Sequence, residues 1–258
     1  MKLAIGALVR GYEDVDDYKT LILRNKSIHK TINSKLDEPF DMIIFHEGNI
    51  SKDHQNYIKE KSPENIDFID VNQEFKFDNE LISKAVDYER FDSGYRLMCK
   101  FNACGIWKYL NEYEYFMRID EDVIIKKFDI NVFKTPKSLD GNFYTIQLSK
   151  ESHEPTNQTL PVYLSDLFNT EQENFYDHKF PYTNFYLTDL NIFRDNNIQN
   201  YLSILGNNDD QFIYRWGDLP IIGSILNYFN YKIKILKNAK YLHVSHDTNI
   251  SSRSIFKF

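Results

Sequence analysis

The chain has few of the residues that mark a secreted, disulfide-bonded or membrane-spanning protein. Its 258 residues include two cysteines, Cys99 and Cys104, which are too few for a disulfide framework and favour a reducing compartment. The longest apolar run near the start covers residues 3–9, about a third of the length that spans a bilayer. The sequence therefore predicts no membrane span and a cytoplasmic location.

Basic charge and glycine-rich phosphate loops are also scarce. Lysine and arginine number 31 against 38 aspartates and glutamates, and a net charge of −7 argues against a nucleic-acid partner, which requires a basic face. The sequence has no Gly-rich phosphate loop, no Ser/His/Asp nucleophile signature and no CxxC pair. These absences disfavour Rossmann dehydrogenases, P-loop enzymes and the common hydrolases.

The first half of the chain alternates short apolar runs with amphipathic segments. The run at 3–9 predicts a buried strand, and the runs at 41–45 and 66–70 predict a second and a third strand. The segments between them predict two helices, one capped by Asp16 or Asp17 and one over residues 51–61. Strands that alternate with helices are typical of a parallel, helix-covered sheet.

The rest of the chain adds a helical pattern at 94–110 and a strand at 113–119. Further along, the sequence predicts a helix at 209–228 and four strands, at 142–148, 183–187, 231–236 and 241–244. Residues 151–179 have no clear pattern and are interpreted as an acceptor-side insertion or lid. We expect one compact α/β domain over residues 1–258.

The strand at 113–119 leads directly into Asp120, Glu121 and Asp122. Ligands of open α/β sheets bind at the carboxyl ends of strands. Two carboxylates there can hold a divalent cation that bridges nucleotide phosphates; the alternative is a solvated acidic turn. Arg118 projects to the same side as Asp120, where it could bind a diphosphate or neutralise that carboxylate.

Two later segments carry further candidates. In the segment at 214–220, Asp218 is interpreted as a helix N-cap with Pro220 near N2, a role that does not exclude catalysis. In the segment at 241–247, His243 is either an ordinary strand residue or a metal ligand. An imidazole ligand would favour Mn²⁺ over Mg²⁺, because imidazole is softer than oxygen.

Together these segments resemble the fungal α-1,2-mannosyltransferases of glycosyltransferase family 15. The similar segments follow the family's order along the chain: L-V-R at 8–10, Y-R-L-M-C-K-F at 95–101, Y-F-M-R-I-D-E-D-V at 115–123, T-N-F through L-N-I-F-R at 183–194, Y-R-W-G-D-L-P at 214–220 and Y-L-H at 241–243.

The resemblance implies a single GT-A domain, the fold of nucleotide-diphospho-sugar transferases, with a mixed, mostly parallel central sheet. Residues 1–125 would form the nucleotide-sugar-binding half and residues 126–258 the acceptor-side half. The implied activity is transfer of mannose from GDP-mannose to a glycan or glycoconjugate hydroxyl, with retention of configuration. The implied cofactor is Mn²⁺, with Mg²⁺ as the alternative.

The resemblance also implies roles for individual residues. Asp120 matches the family's metal-binding Glu, Asp122 is the second acid of that motif, and His243 matches the metal-ligand His. Asp218 matches a carboxylate that faces the reacting sugars. The donor-binding residues implied by the resemblance are Arg10, Tyr95, Arg118 and Asp120.

Two departures from the family pattern matter. Tyr186 stands where the family has a Glu proposed as nucleophile or stabiliser, and Asp189, three residues later, is expected on the other face of its strand. A front-face mechanism, different chemistry with Tyr186 as the catalytic group, or an inactive chain would each accommodate this change. The second departure is the lack of a membrane anchor, from which we expect a cytosolic relative of bacterial or viral origin.

Two other functions remain open from the sequence. One is a sugar nucleotidyltransferase, which the acidic, glycine-poor segment after the first strand disfavours. The other is a catalytically inactive sugar- or nucleotide-binding module, for which Tyr186 is the main support.

Overall fold

A seven-stranded sheet forms the centre of the computed structural model, which describes residues 2–133, 139–175 and 178–244. The strands are β1 Leu3–Leu8, β2 Asp41–His46, β3 Ile66–Asp70, β4 Tyr115–Ile119, β5 Val123–Lys127, β6 Asn142–Thr145, β7 Leu148–Ser149, β8 Phe180–Pro181, β9 Phe185–Asp189, β10 Lys232–Ile235 and β11 Lys240–His243. The helices are α1 Lys19–Thr31, α2 Lys52–Lys61, α3 Ser93–Lys100, α4 Glu154–Phe168, α5 Leu190–Arg194, α6 Asn196–Gly206, α7 Asp209–Ile213 and α8 Asp218–Tyr228.

The order of strands in the central sheet is β10-β6-β9-β4-β1-β2-β3. Strand β9 runs antiparallel to both of its neighbours, β4 and β6, and the other pairs in this sheet are parallel. The carboxyl ends of β1 and β4 therefore lie side by side at one edge. The prediction of a mixed, mostly parallel sheet flanked by helices is confirmed.

Both faces of the sheet are covered, which explains why its central strands read as nearly continuous apolar runs. On one face, Met117 of β4 belongs to a core that includes Leu21 and Ile28 of α1. On the other, Phe116 belongs to a core that includes Ile221 and Ile225 of α8. Neighbouring residues of β4 thus anchor helices on opposite sides of the sheet.

The predicted helices of the first half lie close to the observed ones, but not every predicted capping residue is correct. Helix α2 lies where the pattern at 51–61 predicts a helix, and Ser51 is its cap, with Oγ accepting a hydrogen bond from the backbone N–H of His54. The predicted capping by Asp16 or Asp17 is wrong. Asp14 supplies the cap instead, for a short 3₁₀ turn at Val15–Tyr18 that leads into α1.

Two segments of the second half differ from prediction. The segment at 151–179 contains the long helix α4, which the pattern misses because Pro161 lies inside it and removes a backbone hydrogen bond. The single helix predicted for 209–228 is two helices, α7 and α8, separated by residues 214–217. Among the described residues, no helix combines the length and apolarity needed to cross a bilayer.

Candidate active site

A cleft of about 800 Å³ opens at the edge where β1 and β4 end. Both halves of the chain contribute to its walls. The cleft brings together nearly all of the predicted site residues, namely Arg10, Tyr95, Arg118, Asp120, Asp122, Asp218 and His243. A concave site of this size, with several charged groups converging on it, is the usual form of a small-molecule binding site.

The acidic segment is a tight turn at the end of β4. The backbone N–H of Asp120 donates to the carbonyl of Asn184 at 2.9 Å, and that of Val123 donates back to the carbonyl of Asp120 at 3.1 Å. Beneath the turn, the fully buried Arg24 of α1 donates two hydrogen bonds to the carbonyl of Ile119, at 3.0 and 2.7 Å. Burial lowers the pKa of Arg24 to about 10. Arg24 therefore fixes the point from which the turn leaves the strand.

Arg118 lies between two carboxylates on the floor of the cleft. Its Nε donates to Asp120 Oδ1 at 2.6 Å, its Nη2 to Asp120 Oδ2 at 3.2 Å, and its Nη1 to Asp218 Oδ2 at 2.5 Å. The Arg118 side chain is 5% exposed. Burial opposes its charge, but Asp120 and Asp218 outweigh burial and raise the pKa of Arg118 above its usual value. The guanidinium therefore stays charged and joins β4 to the start of α8.

Asp122 and His243 form a second polar pair in the cleft. Strand β11 pairs antiparallel with β5 so that His243 faces Val123, which brings the imidazole Nε2 within 3.1 Å of Asp122 Oδ2. The hydrogen bond to Asp122 raises the pKa of His243. Pairing between strands that lie far apart in sequence thus creates this site.

The predicted metal trio is only partly assembled. Asp122 and His243 are adjacent, whereas both oxygens of Asp120 bind Arg118. Within the part of the chain that the structure describes, no group of three or more His, Cys, Asp or Glu side chains is placed to hold a metal ion. The pair nevertheless offers one carboxylate oxygen and one imidazole nitrogen beside an open cleft. That donor set suits Mn²⁺ and leaves coordination positions for phosphate oxygens and water.

The start of α8 corrects the interpretation of Asp218 as a helix cap. Gly217 is the N-cap, and Asp218 is the first helical residue, with its carboxylate bonded to Arg118. Ahead of it, Trp216 is fully buried, and its indole N–H donates to Thr159 Oγ1 of α4 at 2.8 Å. The buried indole therefore sets the position from which Asp218 reaches the cleft.

Arg215 adopts a left-handed backbone conformation at the end of α7, with φ of 54°. Backbone hydrogen bonds from Arg215 to Phe212 and from Trp216 to Gln211 complete the helix end in the pattern of a Schellman motif. Left-handed geometry costs a non-glycine residue roughly 1–3 kcal/mol and persists where surrounding contacts impose it. The side chain of Arg215 makes such contacts.

The Arg215 guanidinium ties together three segments of the cleft wall. It donates to Glu151 Oε2 at 3.0 Å and to the hydroxyl of Tyr95 at 2.8 Å, and it lies 4.6 Å from the ring centre of Phe91. Burial raises the pKa of Tyr95 to about 12. Glu151 precedes α4 in the segment without a clear pattern, so no local signal marks it as a site residue. Arg215 belongs to the 214–220 segment, in which Asp218 is the only predicted site residue.

His153 supports the same wall and provides a prediction about pH. The ring is 6% exposed, with Nδ1 2.8 Å from Thr156 Oγ1 and Nε2 3.2 Å from Asp87 Oδ2. Burial lowers the pKa of His153 below 6.5, more than Asp87 raises it. As pH falls through 6.5, His153 therefore becomes protonated in the unfolded chain before it does in the folded chain. The folded state is consequently less stable below this pH than above it.

We expect the stability advantage of the wild type over His153→Gln to shrink between pH 7.5 and 5.5. Thermal unfolding of both proteins at each pH measures the effect, and Gln retains the capacity to hydrogen-bond Thr156 and Asp87 without titrating. A constant difference in Tm across this range would show that His153 does not titrate differently in the folded and unfolded chains.

Tyr186 lies outside the cleft lining. It is fully buried on β9, directly opposite Arg118 of β4, and packs against the rings of Phe116 and Phe143. Burial raises the pKa of its hydroxyl. Asp189 lies at the other end of β9, paired with Tyr115, and accepts hydrogen bonds from the backbone N–H groups of Gly141 and Asn191. Neither residue presents a carboxylate or phenolate to the cleft.

Arg10 and Glu121 line the same cleft and lie close to each other. Arg10 Nε lies 3.5 Å from Glu121 Oε1, and the side chains are 54% and 10% exposed respectively. Burial raises the pKa of Glu121 to about 8. Glu121 lies between the predicted metal ligands Asp120 and Asp122, and the D-x-D spacing does not mark it as a site residue.

This sheet, with its cleft at the end of β4, defines an α/β protein of the GT-A fold, and solved structures share it. Core-mannan synthase A from Aspergillus fumigatus, in its Mn/GDP form, aligns with a TM-score of 0.70 and 19% identity, over 95% of this chain and 75% of that one. The mannosyltransferase Ktr4p from S. cerevisiae aligns with a TM-score of 0.79 and 19% identity, over 94% of this chain and 70% of that one. At this identity the likeness shows the fold.

The chain belongs to the glycolipid 2-alpha-mannosyltransferase family, which matches residues 17–256. Glycolipid 2-alpha-mannosyltransferase 1 of Candida albicans is 25% identical over 218 residues, 76% of this chain and 48% of that protein. The probable mannosyltransferase KTR3 of Saccharomyces cerevisiae is 29% identical over 146 residues, 49% of this chain and 36% of that protein. These matches cover less than half the length of each curated relative. The predicted family resemblance is confirmed.

Proposed function

We propose that the chain transfers mannose from GDP-mannose to a hydroxyl of a glycan or glycoconjugate, with a divalent cation held by Asp122 and His243. One observation carries the proposal: a carboxylate–imidazole pair and a paired arginine converge on one cleft at the carboxyl edge of a GT-A sheet. The names of the relatives support it, since they are mannosyltransferases, and one solved neighbour is a Mn/GDP form. Mn²⁺ is our first choice because one donor is an imidazole.

The two halves of the chain would then bind different substrates, the donor and the acceptor. Residues 1–125 contribute Arg10, Tyr95 and Arg118, which we propose hold the nucleotide and its diphosphate. Residues 126–258 contribute Glu151, Arg215 and Asp218, on the side from which an acceptor would approach. Asp120 would serve the donor site through Arg118, and would become a metal ligand only by exchanging that partner for the cation.

The chemistry we propose needs no enzyme nucleophile at position 186. The bond between C1 of mannose and the diphosphate oxygen breaks, and the acceptor oxygen bonds to C1 on the same face, which retains configuration. The acceptor proton passes to the departing diphosphate oxygen. The bound cation would stabilise the negative charge that develops on the diphosphate. Tyr186, which lies opposite Arg118 on the neighbouring strand, would act only through its packing beside that residue.

Asp218→Asn tests the role of the carboxylate that faces the reacting sugars. We expect GDP affinity in Mn²⁺ to stay within about threefold and the transfer rate to fall by roughly 100-fold, because the loss of charge acts mainly on the transition state. Calorimetry with GDP and a transfer assay measure the two quantities. Because Gly217 is the helix cap, the substitution leaves the cap intact. Full activity in the variant would remove Asp218 from the mechanism.

The proposed function is tested by release of nucleoside diphosphate from a panel of GDP-, UDP- and ADP-sugars. Each donor is incubated with Mn²⁺, Mg²⁺ or EDTA, with and without an α-mannoside acceptor. We expect GDP release from GDP-mannose that needs the cation and is faster with acceptor. NMR of the product then reports the anomeric configuration, for which we expect α.

The main competing function is a binding module without turnover, which the burial of Tyr186 at the position of the family's carboxylate favours. It predicts measurable GDP binding in Mn²⁺ but no release from any donor or acceptor combination. Release from a UDP-sugar alone would instead contradict the choice of GDP-mannose.

We also propose that the chain works in a reducing compartment, the cytoplasm. The supporting observation is that Cys99 and Cys104 are both free thiols, the first of them buried. Cell fractionation with an antibody to the chain measures the location, and recovery in a secretory fraction would contradict it.

A further inference from the structure

Asn102 is a buried polar residue whose amide has no partner in the described part of the chain. Its side chain is 1% exposed, and neither the amide nitrogen nor the amide oxygen forms a hydrogen bond with residues 2–133, 139–175 or 178–244. Leaving such groups unpaired in a folded protein is costly, and the great majority of buried amides are satisfied. An amide left in this state is a reason to look for a ligand.

The local fold directs Asn102 toward the cleft. Tyr95, Met98 and Asn102 all line the cleft and follow one another at helical spacing. After α3 the chain passes through a π-helical turn at Phe101–Gly105, which contains Asn102. Such turns occur frequently at functional sites, because the added residue changes which side chains face a pocket. The indole N–H of Trp107 donates to the carbonyl of Ala103 and braces this turn.

A carboxamide distinguishes the hydroxyl-bearing sugars of a sugar nucleotide from its phosphates. It offers donors and an acceptor together, whereas a phosphate only accepts hydrogen bonds and would leave the amide oxygen unpaired. A pair of vicinal hydroxyls both donates and accepts, and so can satisfy the NH₂ and the carbonyl of one Asn. The hexose and the ribose of a sugar nucleotide both carry such a pair.

We propose that Asn102 binds a vicinal hydroxyl pair of the donor sugar nucleotide and so contributes to donor specificity. The proposal rests on the proposed function, since it takes the donor to be GDP-mannose. The buried amide stays unpaired without ligand, and donor binding supplies both of its missing hydrogen bonds.

The experiment compares wild type with Asn102→Leu by calorimetry in Mn²⁺, with three ligands: GDP-mannose, GDP and 2′-deoxy-GDP. Asn102→Leu removes two neutral hydrogen bonds to the ligand, and we expect this loss to weaken binding roughly 30-fold. A loss confined to GDP-mannose identifies the hexose as the source. A loss for GDP-mannose and GDP, but not for 2′-deoxy-GDP, identifies the ribose. Equal affinities of wild type and variant for all three ligands, or equal losses for all three, would overturn the proposal.

Thermal unfolding without ligand separates binding from structure. Because the amide is unpaired in the free protein, Asn102→Leu should unfold at the same temperature as wild type or higher. The matched control is Asn33→Leu. Asn33 is also 1% exposed, but its amide bonds both the carbonyl and the N–H of Phe40, so this variant should unfold several degrees lower. A Tm that falls as far as that of Asn33→Leu in both Asn102→Leu and Asn102→Ala would assign Asn102 a structural role and overturn the proposal.

Asn102→Ala, which cannot crowd the turn, repeats the binding measurements if the leucine variant does not fold. If the wild-type protein binds GDP-mannose no more tightly than GDP and never releases GDP from GDP-mannose, the proposed function fails together with the hexose assignment. If wild type transfers mannose and both Asn102 variants bind all three ligands normally, only the present inference fails.

Discussion

Replacing Arg118 with methionine is expected to lower the free energy of unfolding by about 3 kcal/mol or more. Methionine fills much of the same space but leaves the carboxylates of Asp120 and Asp218 beside each other without their cation. Breaking such an ion pair is destabilising because it leaves the remaining charges uncompensated in a largely buried position. Chemical denaturation measures the loss, and GDP affinity should fall with it because the floor of the cleft becomes more negative.

Arg10→Met is the matched control for this prediction. Arg10 lies in the same cleft near Glu121, but its side chain is 54% exposed, so its removal should cost less than about 1 kcal/mol. A second control combines Arg118→Met with Asp218→Asn, which removes one of the unpaired charges and should restore part of the lost stability. Equal costs for Arg118→Met and Arg10→Met would mean that the buried ion network does not hold the floor of the cleft.

Asp122→Asn and His243→Gln should each weaken GDP binding in Mn²⁺ by roughly 100-fold or more, because each removes one of the two protein ligands proposed for the cation. In EDTA the same variants should bind GDP about as weakly as wild type does. Calorimetry with GDP under both conditions measures the difference, and circular dichroism checks that the variants fold.

The chain offers a close control for His243. His29 has a similar exposure, 44% against 42%, and a carboxylate partner, Glu64 at 2.6 Å, but it lies on α1 and does not line the cleft. His29→Gln should leave GDP binding unchanged in Mn²⁺ and in EDTA. Metal-dependent binding that survives both Asp122→Asn and His243→Gln would place the cation elsewhere.

Much of the fold could be predicted because most of its strands contain short apolar runs that are visible in the local sequence. Strand β3 has the predicted bounds, and the acidic turn follows β4 as expected. Strand β4, unlike the edge strand β3, is buried at all five positions, and a strand buried on both faces needs a nearly continuous apolar run, which is visible in a window of five or six residues. The carboxyl end of such a strand is then a reasonable place to look for a site.

The remaining details depend on contacts between residues far apart in sequence. Arg24 reads as an ordinary charge on a helix, and only the fold brings it beneath the carbonyl of Ile119. The pairing of Arg215 with Glu151 likewise spans two segments that no local pattern connects. At Asp218 the local signals are sound but off by one residue, because an aspartate is favourable both as an N-cap and in the first helical turn.

The most direct test of the account is a crystal structure of the chain with GDP and Mn²⁺, with anomalous data collected at the manganese edge. We expect a single strong anomalous peak in the cleft, about 2–2.5 Å from a carboxylate oxygen of Asp122 and from Nε2 of His243, with diphosphate oxygens completing its coordination. A manganese peak that touches neither residue, or GDP bound outside the cleft, would contradict it.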